Sequence, residues 1–225
     1  MVEVIVFAEG HTEEQFIKRL VAPALRHLQV FVKPQLLNTS QDARGGAINF
    51  DRLKFNARNT LRQKPDAILT TFVDLYALDT SFPAYEEAKT KQNLDDRLNC
   101  LRTALHEAVV DYVGCRPERF IPHIQPYEFE GLLFSDPHAL AGTEPGWDRS
   151  EGALVKVRAA FETPEHINDG YETKPSRRLE KLLQPGYKKT RHGPLAAERI
   201  SLAAMERECP HFCYWLGRLR ALQGV

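Results

Sequence analysis

Val4-Ile5-Val6-Phe7-Ala8-Glu9-Gly10-His11-Thr12-Glu13-Glu14-Gln15-Phe16 is the stretch that decides the fold. A continuous apolar run stops at an acid, a glycine and a capping residue, the pattern of a buried strand, a tight turn and a helix start. Glu9 then stands at the carboxyl end of a central strand, where open α/β sheets place their ligands. Glu13 follows in the helix, and two carboxylates at such a place point to a cation. Thr12 is the expected N-cap. Phe16, Ile17, Leu20, Val21, Ala24, Leu25 and Leu28 have the three-four spacing of a helix buried along one face, and Pro23 within it predicts a kink or a break.

Outward from this unit the same rhythm returns. Val30-Phe31-Val32 reads as a second strand. The polar loop Asn38 to Asn49 after it contains Arg44-Gly45-Gly46, which either wraps a phosphate with backbone N–H groups or is a plain connection; it lacks the Lys-Ser/Thr ending of a P-loop. A basic helix over Phe50 to Leu61 leads to Ala67-Ile68-Leu69-Thr70-Thr71-Phe72-Val73, a β-branched apolar run that closes on Asp74-Leu75-Tyr76. Strand–helix–strand order predicts parallel strands with right-handed crossovers, so Glu9 and Asp74 emerge at one sheet edge.

A long helix is expected over Leu94 to Val113, then a short strand within Arg119 to Gln125 in which proline limits it to an edge or to its first residues. Pro126-Tyr127-Glu128-Phe129-Glu130-Gly131-Leu132-Leu133-Phe134 is a third exit with acids. Glu128 and Glu130 are two apart and point to different sides, so only one should face the cation of Glu9. Beyond Ser135 the strand signal fades, and helices are expected over Leu154 to Phe161, Pro175 to Leu183, Leu195 to Arg207 and Phe212 to Leu222. Pro185 to Pro194 is the densest basic segment. The predicted fold is α/β, with an about four-stranded, mostly parallel sheet flanked by helices over residues 1–135. A C-terminal helical lobe over residues 136–225 packs on it as one compact unit.

The 225 residues hold 30 Lys plus Arg and 30 Asp plus Glu, a formal net charge of zero. No global basic field advertises nucleic acid, so any phosphate-binding surface is local. No apolar run approaches the ~18 residues of a membrane span, and the N-terminus lacks a basic region followed by a long apolar one, so a soluble cytoplasmic protein without a membrane partner is expected. Four cysteines are too few for a disulfide framework. Cys209-Pro210-His211-Phe212-Cys213 offers either metal ligands or thiols packed on a terminal helix.

Acids at successive strand exits are the constellation that holds Mg²⁺ (or Mn²⁺), a hard cation that keeps waters for substrate phosphates. The candidate ligands are Glu9, Glu13, Asp74, Glu128 and Glu130; Glu9, Asp74, Glu130 and Lys188 are the candidate catalytic residues. Lys174, Ser176, Arg177, Arg178, Lys188, Lys189 and His192 are the candidate phosphate or nucleic-acid contacts, and a lysine among them would neutralise transition-state charge. His11, His123 and His192 lack ligand spacing, and neither a Gly-x-Ser-x-Gly elbow nor a Gly-x-Gly-x-x-Gly fingerprint occurs.

Glu9-Gly10-His11-Thr12-Glu13-Glu14 and Val73-Asp74-Leu75-Tyr76 resemble the first and second motifs of the Toprim domain, especially as it occurs in OLD-type nucleases. Over essentially its whole length the chain also resembles a bacterial domain-of-unknown-function family, DUF4276. The shared features include Thr70-Thr71, Glu128-Phe129-Glu130-Gly131, Pro175-Ser176-Arg177-Arg178, Tyr187-Lys188-Lys189, Gly193 and Cys209-Pro210-His211-Phe212 with Trp215. The resemblance implies a Toprim-like fold and Mg²⁺-dependent phosphodiester chemistry on DNA or RNA. It also implies an ABC- or AAA-type ATPase partner in anti-phage defence. Carried over, Glu9 is general acid/base or metal ligand, and Glu13 and Asp74 are metal ligands. The Toprim second motif is Asp-x-Asp, and Tyr76 stands at its second acid. That departure admits a different reading, a non-catalytic regulatory or binding subunit of an ATPase complex. Phosphatase-like action on a nucleotide and a homo-oligomer also stay open.

Overall fold

A computed structural model describes residues 1–37, 48–168 and 170–223; the loop around Arg44-Gly45-Gly46 lies outside the described residues. The sheet is built from β1 (Val2–Ala8), β2 (Val30–Leu36), β3 (Ile68–Asp74) and two short strands, β4 (Phe120–Ile121) and β5 (Ile124–Gln125). Its order is β2-β1-β3-β4, with β5 also on β3, and every pairing is parallel. Ala8 pairs with Phe72, which brings Glu9 and Asp74 to one edge. The expected four strands are five because the last is divided at Pro122-His123. Proline has no N–H for the ladder, and Thr71 replaces the missing rung: its hydroxyl donates to the His123 carbonyl at 2.7 Å and accepts from the His123 N–H at 2.9 Å.

Helix α1 (His11–Phe16) runs through a π-helical turn, Ile17–Val21, directly into α2 (Ala22–Arg26). The kink or break expected at Pro23 is therefore a π-bulge, in which carbonyls reach one residue further where proline offers no donor. The N-cap is Gly10 in an extended conformation, not Thr12. The helix begins earlier than the capping signal suggested, and Thr12 is buried inside its first turn.

Asn49 caps α3 (Phe50–Gln63) by accepting from Asp51 N and Arg52 N. After α4 (Tyr85–Lys89), α5 (Leu94–Val113) starts on Asn93 and closes at Gly114, whose φ of 70° is the left-handed conformation glycine tolerates. The remaining helices are α6 (Pro137–Ala141), α7 (Glu151–Ala159), α8 (Pro175–Leu182), α9 (Lys189–Ile200), α10 (Leu202–Glu208) and α11 (Pro210–Arg220). The basic segment thus becomes helix from Lys189 onward, with Pro194 inside. The single helix expected over Leu195 to Arg207 is divided at Ser201, where φ is 78°.

Alternation along β1 gives the sheet two apolar faces. Ile5 and Phe7 face α3 and α5 in a core with Leu53, Leu69, Leu98 and Phe120. Val4, Val6 and Ala8 face the other way, in a core with α1 and the C-terminal helices. There Phe16 meets Phe129 and Phe212, Phe72 meets Trp215 at 5.1 Å between ring centroids, and Trp215 Nε1 donates to Thr70 Oγ1 at 2.9 Å. Among the described residues no helix is long and apolar enough to cross a membrane.

Candidate functional site

The carboxyl ends of β1 and β3 carry Glu9 and Asp74, α1 adds Glu13, and the 3-10 turn Phe129–Ser135 adds Glu130. The third acidic exit is thus a 3-10 turn rather than the end of a strand. It is tied to the sheet by Asp74, whose Oδ1 accepts from Phe129 N at 2.9 Å. Glu13, Asp74 and Glu130 are buried. The turn at Gly10 leaves no room for a side chain without contact: a Cβ there would stand 3.1 Å from Glu13 Oε2.

These acids feel one another. Burial, and then Glu13, push the Glu9 carboxyl up to about 7, against the pull of Lys189 and a backbone hydrogen bond from Asp74. Burial raises Asp74 well above the usual carboxylate range, with Glu9 and Glu13 adding to it. Burial also raises Glu130 to about 7, opposed by Lys189. The compensating cation is Lys189, on the first turn of α9, with its Nζ 3.1 Å from Glu130 Oε2. Burial disfavours its charge, but Glu130, Asp74, Glu128 and Glu13 together hold the ammonium above the usual lysine range. Glu9 Oε2 is buried with no hydrogen-bond partner among the described residues, and Glu130 Oε2 has only the ion pair with Lys189, not an aligned hydrogen bond.

Several of the candidate residues stand apart from this cluster. Glu128 points away from Glu130: Lys174 Nζ donates to its Oε1 at 2.7 Å and Ser176 N to its Oε2 at 3.0 Å. Burial would raise its carboxyl, yet Lys174, Lys189 and the Ser176 amide hold it below the usual range. It acts as a strut between the core and α8. Lys188 is exposed, and its backbone N–H donates to His192 Nδ1 at 2.9 Å; its neighbour Lys189 enters the acids instead. His192 is withdrawn from any phosphate-facing surface, buried edge-on against Trp147 at 4.7 Å between centroids. Arg177 pairs with Glu180 and the Tyr171 hydroxyl, and Arg178 donates to the Thr173 carbonyl and lies over Phe161.

Tyr187 escaped the sequence reading as a site residue. Its buried hydroxyl donates to Glu130 Oε1 at 3.2 Å. It packs where a Cβ on Gly193 would intrude, 3.2 Å from the tyrosine oxygen and 2.8 Å from the Thr12 methyl. The Tyr-Lys-Lys spacing followed by that glycine was the available signal. Tyr76 is exposed and donates to Asn168 Oδ1. In the Cys209-Pro210-His211-Phe212-Cys213 segment, Cys209 is buried beside Ser135, Cys213 is exposed and His211 pairs with Asp95 at 2.9 Å.

The acid cluster matches a hard cation in donor type, since every ligand candidate is a carboxylate oxygen. As they stand, no three His, Cys, Asp or Glu side chains among the described residues are gathered into a finished metal cage. What the cluster does show is a surplus of buried carboxylate over the one ammonium that answers it.

No curated protein and no solved structure matches the chain. A family model described as a domain of unknown function (DUF4276) matches residues 8–220, and the chain belongs to that family.

Proposed function

We propose that this chain is a Mg²⁺-dependent (or Mn²⁺-dependent) phosphodiesterase of Toprim type acting on DNA or RNA. One observation carries the reading: Glu9, Glu13, Asp74 and Glu130 crowd around Lys189 beyond the carboxyl ends of β1 and β3. Four carboxylates against one ammonium leave negative charge in a buried space, and the chain by itself relieves it only by holding protons. A divalent cation would relieve it better once these side chains closed on it, and Glu9 Oε2 has a lone pair to offer.

When bound, such an ion neutralises charge on a phosphate and acidifies water. The chain's own groups have separate tasks. Glu9, whose Oε2 is unspent, either moves a proton to or from the reacting oxygen or holds the ion. Lys189 keeps a fixed positive charge where a phosphate oxygen gains negative charge. Asp74 holds the turn that carries Glu130, and Tyr187 orients the Glu130 carboxyl.

With zero net charge, binding through a local patch is weak and salt-sensitive. That supports an effector delivered or restrained by an ABC- or AAA-type ATPase. The purified chain is tested with Mg²⁺ or Mn²⁺ on plasmid, single-stranded DNA and tRNA, alongside a thermal-shift titration of the metal. Cleavage that Glu9→Gln abolishes without unfolding the protein is expected; cleavage that survives Glu9→Gln rejects the site.

The second reading, a non-catalytic regulatory or binding subunit, is favoured by Tyr76 at the position where a Toprim second motif has an acid. Silence in every cleavage assay, with no thermal response to either metal, decides for it.

A further inference from the structure

Beside the acid cluster, on the side where Glu128 turns away, lies a group of aromatic and cationic side chains that the chemistry above does not use. Tyr76 is 42% exposed and Tyr171 65% exposed. The Lys174 ammonium bridges them, 5.7 Å from the Tyr76 ring centroid and 5.6 Å from that of Tyr171. Arg177 lies 5.3 Å over Tyr171 and donates to its hydroxyl at 2.9 Å. Tyr76 leans on Tyr127 at 5.7 Å between centroids, and its hydroxyl is anchored on Asn168. Arg97, whose charge reaches the Tyr76 hydroxyl, has a buried Nε with no hydrogen-bond partner among the described residues.

Both rings are open to solvent and lie within reach of cations. Their hydroxyls are fixed and they share the Lys174 ammonium, so the rings are oriented rather than loose. Lys174 is also the residue that binds Glu128, two positions before Glu130. The rings are therefore linked through that one ammonium to the turn that carries the acid cluster.

We propose that Tyr76 and Tyr171, with Lys174 and Arg177, form a stacking platform for unpaired bases, and that the substrate is single-stranded nucleic acid. The inference rests on the phosphodiesterase reading for the identity of the ligand. Every nucleobase offers a face to an aromatic ring, whereas bases in a duplex are already stacked on one another. Lys174 keeps donors beyond its bond to Glu128, and Arg177 keeps N–H groups beyond those on Glu180 and Tyr171, and these take the flanking phosphates, as in strand-binding grooves that read no sequence. Tyr76, the departure from the acidic second motif, thereby gains a role of its own as the ring packed on Tyr127.

Labelled oligothymidine, labelled oligouridine and a labelled duplex of equal length are titrated by fluorescence anisotropy in EDTA, so that cleavage plays no part. The expected result is tighter binding of at least one single strand than of the duplex. Tyr171→Ala and Tyr76→Ala each weaken it by about tenfold, as loss of one stacked base does. Tyr171→Phe restores single-strand binding, and duplex binding is the same in all variants. Oligodeoxyuridine, which shares its base with oligouridine, then tells which sugar is preferred. Equal affinity for strand and duplex, unchanged affinity in both alanine variants, or no binding at all overturns the inference. Tyr171 is a surface residue, and circular dichroism verifies that its variants are folded. Metal-dependent cleavage of plasmid with no single-strand preference overturns the platform and leaves the phosphodiesterase reading standing. Single-strand binding as stated, with no cleavage under any metal, does the reverse.

Discussion

Glu130 and Glu165 are buried to nearly the same degree, 0% and 1% exposed, and burial raises both carboxyls to about 7. They even sit on touching turns: a Cβ on Gly131 would stand 3.2 Å from the Pro164 carbonyl oxygen. Their partners differ. Glu165 accepts from His211 N at 2.9 Å and Phe212 N at 3.0 Å, so both its oxygens are spent on the first turn of α11. Glu130 has a tyrosine hydroxyl on one oxygen and only an ion pair on the other, among three more acids. Depth and a raised carboxyl therefore do not distinguish a helix cap from a candidate ligand; the presence of unspent lone pairs does.

Breaking the ligand side of this comparison has the largest expected effect. Asp74→Asn keeps the shape and an oxygen for Phe129 N but removes a charge from the cluster, and should lower cleavage by about a hundredfold or more. Circular dichroism then shows an intact fold; undiminished turnover would detach Asp74 from the chemistry. On the cap side, Glu165→Ala strands two backbone amides at a cost of roughly 3 kcal/mol, a fall in Tm on the order of 8 °C. Cleavage per folded molecule should not change. A drop in turnover matching that of Asp74→Asn would erase the distinction.

The pH dependence sharpens it further. Folding raises the carboxyls of Glu9, Glu130 and Glu165 from 4.5 to about 7. Their stabilisation is complete below the unfolded value and is lost as pH rises through about 7, so the metal-free Tm should fall between pH 5 and pH 8. Saturating Mg²⁺, at a hundred times its dissociation constant, returns about 2.7 kcal/mol. The gain should be larger at pH 8 than at pH 5, present in Glu165→Gln and lost in Glu130→Gln. A response to Mg²⁺ that Glu130→Gln preserves would remove Glu130 from the ligand set. The smallest effect belongs to Tyr187→Phe, which deletes one hydrogen bond to Glu130. It should cost about 1 kcal/mol, a shift of about 3 °C by differential scanning fluorimetry, and weaken the Mg²⁺ response.

The ligand side was legible in the sequence where strands end. Val4 to Ala8 and Ile68 to Val73 are apolar runs that stop at an acid, and parallel crossovers force such stops to one edge. The span of α5 was legible from the spacing of Leu94, Leu98, Leu101, Leu105 and Val109, which are its buried residues. Glu128 and Glu130 were legible as a pair pointing apart, but not as parts of a 3-10 turn, because that turn is held by Asp74 from a distant strand. The choice of Lys189 over Lys188 was hidden for a related reason: it depends on where α9 begins, and tertiary packing around Gly193 and Tyr187 sets that beginning. Glu165 gave no local signal, since its partners are the amides of a helix far along the chain.

The position of Lys189 has one more consequence. All four acids are synthesised before the ammonium that answers them, so an emerging chain carries an uncompensated anionic pocket until α9 docks. Any fragment ending before Lys189 inherits that condition.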